Sequence, residues 1–87
     1  MNLAKEEVGK VTHFFNKINV AVIELSAELK VGEKISIEGH GNAFEQNVDS
    51  MEIDRNKIES ASAGQAVGMK TGQPVKEGDI VYKVTGE

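Results

Sequence analysis

The sequence predicts a small all-β protein, on three observations. Short aliphatic runs alternate with polar residues, clusters of Gly, Asn and Asp punctuate them at hairpin spacing, and no amphipathic stretch is long enough to stand alone as a helix. The stretch from Val48 to Lys70 shows the pattern best. Val48, Met51, Ile53 and Ile58 flank the polar turn Asp54-Arg55-Asn56, and Ala61, Ala63, Ala66, Val67 and Met69 surround an interruption at Gly64. Six or seven such strands predict a closed or nearly closed antiparallel β-barrel of about six strands, because closure removes the edges that a small open sheet exposes.

Taken in order, residues 1–7 are polar and form a short N-terminal extension leading into the first strand. Val8, Val11, Phe14 and Phe15 cannot share one face of an unbroken strand, so a bulge at Gly9 is expected to reset the alternation. Asn16-Lys17 makes a hairpin corner, and Ile18 to Leu25 is a strand with apolar side chains on both faces. Ser26 to Lys30 is a connection, too short for a stable helix. Lys34 to Gly39 is a half-buried strand through Ile35 and Ile37, and Gly39-His40-Gly41-Asn42 is a hairpin loop. Phe44, Gln46 and Val48 share one face of the next strand. Lys57 to Ala61 and Gln65 to Met69 are further short strands. Pro74 marks a loop because it has no N–H for a ladder. In the last strand, Ile80, Tyr82 and Val84 oppose Val81 and Lys83.

With 87 residues the chain has room for one domain, 1–87, and not for two lobes with a cleft between them. Phe14, Phe15, Phe44 and Tyr82 are its only aromatic residues, so the core must be aliphatic. Ten basic against fourteen acidic residues give a net charge of −4, which disfavours binding polyanions over the whole surface. The absence of cysteine excludes disulfides, thiolate metal ligands and cysteine nucleophiles, and cytoplasmic residence is the default. The most apolar window, Ile18 to Leu25, falls far short of the roughly twenty residues of a membrane span, so no membrane partner is expected.

Several turn motifs occur in a definite order. Lys30-Val31-Gly32-Glu33 precedes the strand at Lys34, Ala63-Gly64-Gln65-Ala66-Val67-Gly68 supplies a corner and a strand, and Gly78-Asp79 introduces the last strand. This order, over Val8 to Val84, resembles the second, β-barrel domain of translational GTPases such as elongation factor Tu. The chain is also similar to small stand-alone elongation-factor-like proteins, and to the barrels at the ends of some collagenase-like U-type peptidases. The first resemblance implies a barrel that contacts transfer RNA or the ribosome beside a nucleotide domain. Ser26-Ala27 departs from it, standing where a glycine usually follows the second strand. No Gly-x-x-x-x-Gly-Lys-Ser/Thr phosphate loop occurs, so GTP hydrolysis is not expected.

Neither His13 nor His40 stands in an Asp-His-nucleophile order, and Asp49, Glu52 and Asp54 lack calcium-loop spacing; no catalytic residue, metal or cofactor is expected. The leading expectation is a noncatalytic binding module, translation-associated, that recognises RNA, a ribonucleoprotein or an unknown protein. Arg55 and Lys57 flank the central turn and, with Lys34 and Lys70, are the candidate phosphate contacts, against a bland alternative in which Asp54 and Glu59 balance an exposed basic turn. Gly32 and Gly64 would position the loops. A second expectation is a structural or oligomerising accessory domain that binds protein or another copy through Phe14, Phe15 and the Ile18 to Leu25 strand. A small enzyme using His13 with a carboxylate is the third.

Overall fold

A computed structural model describes residues 3–86. They form ten strands and no helix: β1 (Leu3–Phe15), β2 (Val20–Leu25), β3 (Leu29–Lys30), β4 (Lys34–Gly39), β5 (Asn42–Asn47), β6 (Met51–Ile53), β7 (Asn56–Ile58), β8 (Ser60–Ala61), β9 (Ala66–Lys70) and β10 (Ile80–Gly86). Eight of them make one antiparallel sheet in the order β5-β4-β10-β1-β2-β9-β6-β7, and β3 pairs with β8 in a small second sheet.

The long strand β1 organises the sheet. It pairs with β10 along one edge and with β2 along the other, and its register slips at Val8 against β10 and at Thr12 against β2. Each slip is a one-residue bulge that advances the side-chain phase, and the one at Val8 lets Val8 and Val11 both reach the core although they are three residues apart. The expected bulge at Gly9 therefore lies one residue earlier. Residues 3–7 are not a lead-in: from Leu3 they are laddered to β10.

The core is aliphatic. Ile23, Leu29, Ile35, Ile37, Met51, Met69, Val67 and Val81 are fully buried, each worth roughly 1.5–3 kcal/mol in burial. Met51 and Met69 stand opposite each other across β6 and β9. In β2 the inward face is Ala21, Ile23 and Leu25, while Ile18 lies outside the strand in the turn and is 58% exposed. In β10 the single inward Val81 is the buried residue, and Ile80, Tyr82 and Val84 are half-buried.

The expected closed barrel is not what forms. The sheet is open, with β5 and β7 as its edges, and strands are more numerous and shorter than the six expected. Residues 48–50 leave the ladder after β5, and the loop after β9, which carries Pro74, runs on without adding a strand. The gap is bridged at isolated points: Gly32 N–H donates to the Val48 carbonyl, Val48 N–H to the Glu33 carbonyl and Val31 N–H to the Glu59 carbonyl, each at 2.8 Å.

Candidate functional site

Three places on this scaffold carry polar or apolar groups in an organised arrangement. At one mouth of the curled sheet, His40 and Gly41 have φ of 53° and 80°, which makes the β4–β5 connection a two-residue type I′ turn. The turn brings His40 Nδ1 to 2.7 Å from Asp79 Oδ1. Asp79 is buried, and its Oδ2 accepts the Lys76 N–H at 3.0 Å, closing the turn that leads into β10. Gly39 is required here, since a Cβ on it would collide with Asp79 Oδ1 and lie 3.0 Å from Cγ. Phe44, Pro74 and Val75 join this pair in lining a cleft of about 240 Å³. Through Asp79 the pair clasps the β4–β5 hairpin to the turn before β10, and Ser, Thr and Cys do not line the cleft.

The second place is the gap in the sheet. Gln46 on β5 reaches across it, its Nε2 donating to the Lys70 carbonyl at 2.9 Å and its Oε1 accepting the Gly72 N–H at 2.8 Å. Beside the bridge lies an open cleft that includes Asn47, Asp49, Ser50 and Thr71.

The third place is the tip of the β1–β2 hairpin. Phe15 is 47% exposed and Ile18 58%, the His13 ring meets the Phe15 ring edge-on with centroids 4.4 Å apart, and Phe14 packs half-buried against the core. These residues frame a shallow apolar hollow with Asn16 and Lys17. His13 Nδ1 is 3.5 Å from Glu77 Oε2, but both side chains are exposed and Glu77 is not part of the hollow, which removes the main support for an enzyme built on His13.

The residues singled out in the sequence are dispersed. Arg55 sits in the β6–β7 turn with φ of 66°, and Lys57 faces Glu52 across the β6–β7 ladder. Lys34 on β4 is paired with Glu45 Oε1 at 3.1 Å. Lys70 ends β9 beside the gap, away from the β6–β7 turn. Gly32 and Gly64 have φ of 96° and 91° in the turns that follow β3 and β8. Phe14 and Phe15 come together at the hairpin tip. Sequence reasoning missed Gln46 and the His40–Asp79 clasp, whose only local signal is an acid after Gly78 and a histidine between two glycines.

Comparison with solved structures decides the fold. The C-terminal domain of a putative U32 peptidase from Geobacillus thermoleovorans superposes with a TM-score of 0.85 at 18% identity, covering 90% of this chain and 91% of that one. Its selenomethionine variant gives 0.83 at 19% identity, covering 87% and 96%. The fold is that of this domain. In sequence, the chain is 43% identical over 79 residues to an uncharacterized protease of Methanocaldococcus jannaschii, covering 90% of this chain and 19% of that protein. It is 30% identical over 81 residues to a collagenase of Porphyromonas gingivalis, covering 91% and 22%. The chain thus spans about a fifth of the length of the curated relatives it matches. No family model matches it.

These findings correct two expectations. The resemblance to elongation factor Tu domain II, with its translation-associated RNA or ribonucleoprotein partner, is overturned: the relatives are named a protease and collagenases, and the matching structures are of the C-terminal domain of a putative U32 peptidase. The cause is that glycine turns between aliphatic strands recur in many small β-barrels. The similarity to barrels at the ends of U-type peptidases was the informative one. Among the described residues, no three His, Cys, Asp or Glu side chains converge as metal ligands, and no helix is long and apolar enough to cross a membrane.

Proposed function

We propose that the chain is a noncatalytic accessory domain of a U32-type peptidase, folding as one unit over 1–87 and docking on the peptidase body through the β1–β2 hairpin tip. The observation that carries the proposal is the 43% identity over 79 residues that make up only 19% of a protease. A segment so similar and so small a part of its relative is a module beside a larger body. The crystallised peptidase C-terminal domain, matched over 96% of its length, supports folding as a unit. The polar groups support the noncatalytic part: both Asp79 oxygens are spent on holding a hairpin and a turn. The exposed Phe15 and Ile18 supply an apolar anchor of the kind that protein interfaces bury. Cytoplasmic residence is carried as part of the same proposal.

The experiment replaces the matching 79 residues of the Methanocaldococcus protease with this chain and follows gelatin hydrolysis. The graft retains the activity of the parent, Phe15→Ser/Ile18→Ser in the graft lowers it, and the isolated chain cleaves nothing. Cleavage by the isolated chain would make the domain an enzyme.

A further inference from the structure

Gly9, Gly39 and Gly68 lie within strands, and none has the positive φ that would by itself require glycine. A Cβ on Gly9 would sit 2.7 Å from Ile23 Cγ2, and one on Gly39 would collide with Asp79, so the packing of the chain explains both. Gly68 is different. A Cβ there would meet Val20 Cγ1 at 3.5 Å and the Glu52 carbonyl oxygen at 3.9 Å, ordinary contacts that leave room for an alanine. The chain thus gives up a side chain in a strand interior, where glycine weakens the ladder, and no close approach within the chain requires it. Glycine in such a place marks the approach of another molecule.

Val67 and Met69 point into the core, so Gly68 and Lys70 face outward, opposite Val22 and Val20 of β2, and Gly68 also stands opposite Glu52 of β6. The missing side chain leaves a hollow of about 220 Å³ on the outer face of the sheet. Gly68 is its floor, Ile18 and Val20 form an apolar wall, and Ser50, Glu52 and Lys70 stand around it. We propose that this hollow is a socket for a branched aliphatic side chain of the peptidase body. The socket adjoins the docking tip, because Ile18 belongs to both. An apolar centre inside a polar rim is the anatomy of a protein interface. Neither Glu52 nor Lys70 has an ion-pair partner among the described residues, so the rim offers both signs of charge to a protein surface that carries both. In the Methanocaldococcus relative the matching segment is 19% of the protein, so the rest of that chain is tethered to it. A tethered partner meets the socket at an effective concentration that a second copy does not reach. The inference deepens the accessory-domain reading and rests on it for the identity of the body.

The test has two parts. In the isolated chain, Gly68→Ala is expected to unfold in urea at or above the wild-type midpoint, and a lower midpoint would mean that the fold itself needs the glycine, which overturns the proposal. The chain has no cysteine, so Glu52→Cys places its single thiol beside the hollow. Maleimide labelling at position 52 is then followed by peptide mass in the isolated chain and in the same chain grafted into the Methanocaldococcus protease in place of its matching segment. The expected rate is about tenfold slower in the graft, and adding Gly68→Leu, which fills the hollow, returns it to within about twofold of the isolated chain. Fast labelling at position 52 in a graft whose amides from Phe14 to Asn19 are protected would overturn the socket and leave the docking of the tip standing. Fast labelling with an unprotected tip would remove the accessory-domain reading and the socket with it. Slow labelling that Gly68→Leu leaves unchanged would overturn the socket, as would slowing in the isolated chain that grows with protein concentration, which makes the occupant a second copy.

Discussion

The Gln46 side chain holds Gly72 where the sheet fails to close, accepting its N–H at 2.8 Å while donating to the neighbouring Lys70 carbonyl at 2.9 Å. One amide thus substitutes for a missing rung of the ladder.

Gln46→Ala should cost about 1–2 kcal/mol, the usual range for two hydrogen bonds with partial access to water. The local sign is accelerated hydrogen exchange at the Gly72 amide. An unchanged urea midpoint together with unchanged exchange would show that the bridge contributes nothing.

Gly39→Ala should destabilise by about 1–3 kcal/mol, because the new Cβ meets the Asp79 carboxylate and the hairpin must shift. The cost should shrink in an Asp79→Ala background, where the carboxylate is gone and the Cα of residue 79, 3.1 Å from the new Cβ, is the contact that remains; a double-mutant cycle from chemical denaturation measures the coupling. Strict additivity would place the strain elsewhere.

Met51 and Met69 face each other inside the core, so Met51→Ala or Met69→Ala should each cost about 2–5 kcal/mol. Leucine at either position keeps the volume and should cost less than about 1.5 kcal/mol by the same thermal or urea measurement.

Lys5 and Ser36 both donate to Glu38 Oε2, tying β1 to β4 over β10. The hydrogen bond from Lys5, then that from Ser36, holds the Glu38 carboxyl below the usual carboxylate range, and the bond to Glu38 raises the Lys5 ammonium above its own. Glu38 titrates lower in the folded state than in the unfolded one. Its contribution is therefore complete above the ordinary carboxylate range and disappears as pH falls through the lowered value. Lys5 contributes below the ordinary lysine range and loses its contribution as pH rises past the raised value. Thermal melts of Glu38→Gln should lie slightly below wild type at neutral pH and converge with it in acid. The offset is small because the pair is exposed.

Much of the fold was legible in the sequence because its signals are local. The glycines of the hairpin at His40 and the Pro74 break each reflect a few neighbouring residues, and each appears in the structure; the strand Lys34–Gly39 forms where expected, but Ser36 is buried between Ile35 and Ile37, so its alternation does not hold. Closure was not legible, since it depends on whether β5 and β7 meet, a relation between distant strands. The phase of β2 and β10 was open for a related reason: both faces carry apolar residues, and only packing selected Ile23 and Val81 for the interior. The clasp of His40 with Asp79 joins residues 39 positions apart, and no short-range pattern announces it. Arg55 and Lys57 flank one turn and stay together in the β6–β7 hairpin, whereas Lys34 and Lys70, joined to them by charge alone, lie on β4 and β9.

Hydrogen exchange at the hairpin tip tests the central claim most directly, comparing the isolated chain with the same chain grafted into the Methanocaldococcus protease in place of its matching segment. Docking on the peptidase body predicts slowed exchange through Phe14 to Asn19 in the graft, reversed by Phe15→Ser/Ile18→Ser. Exchange at the tip as fast in the graft as in the isolated chain would contradict it.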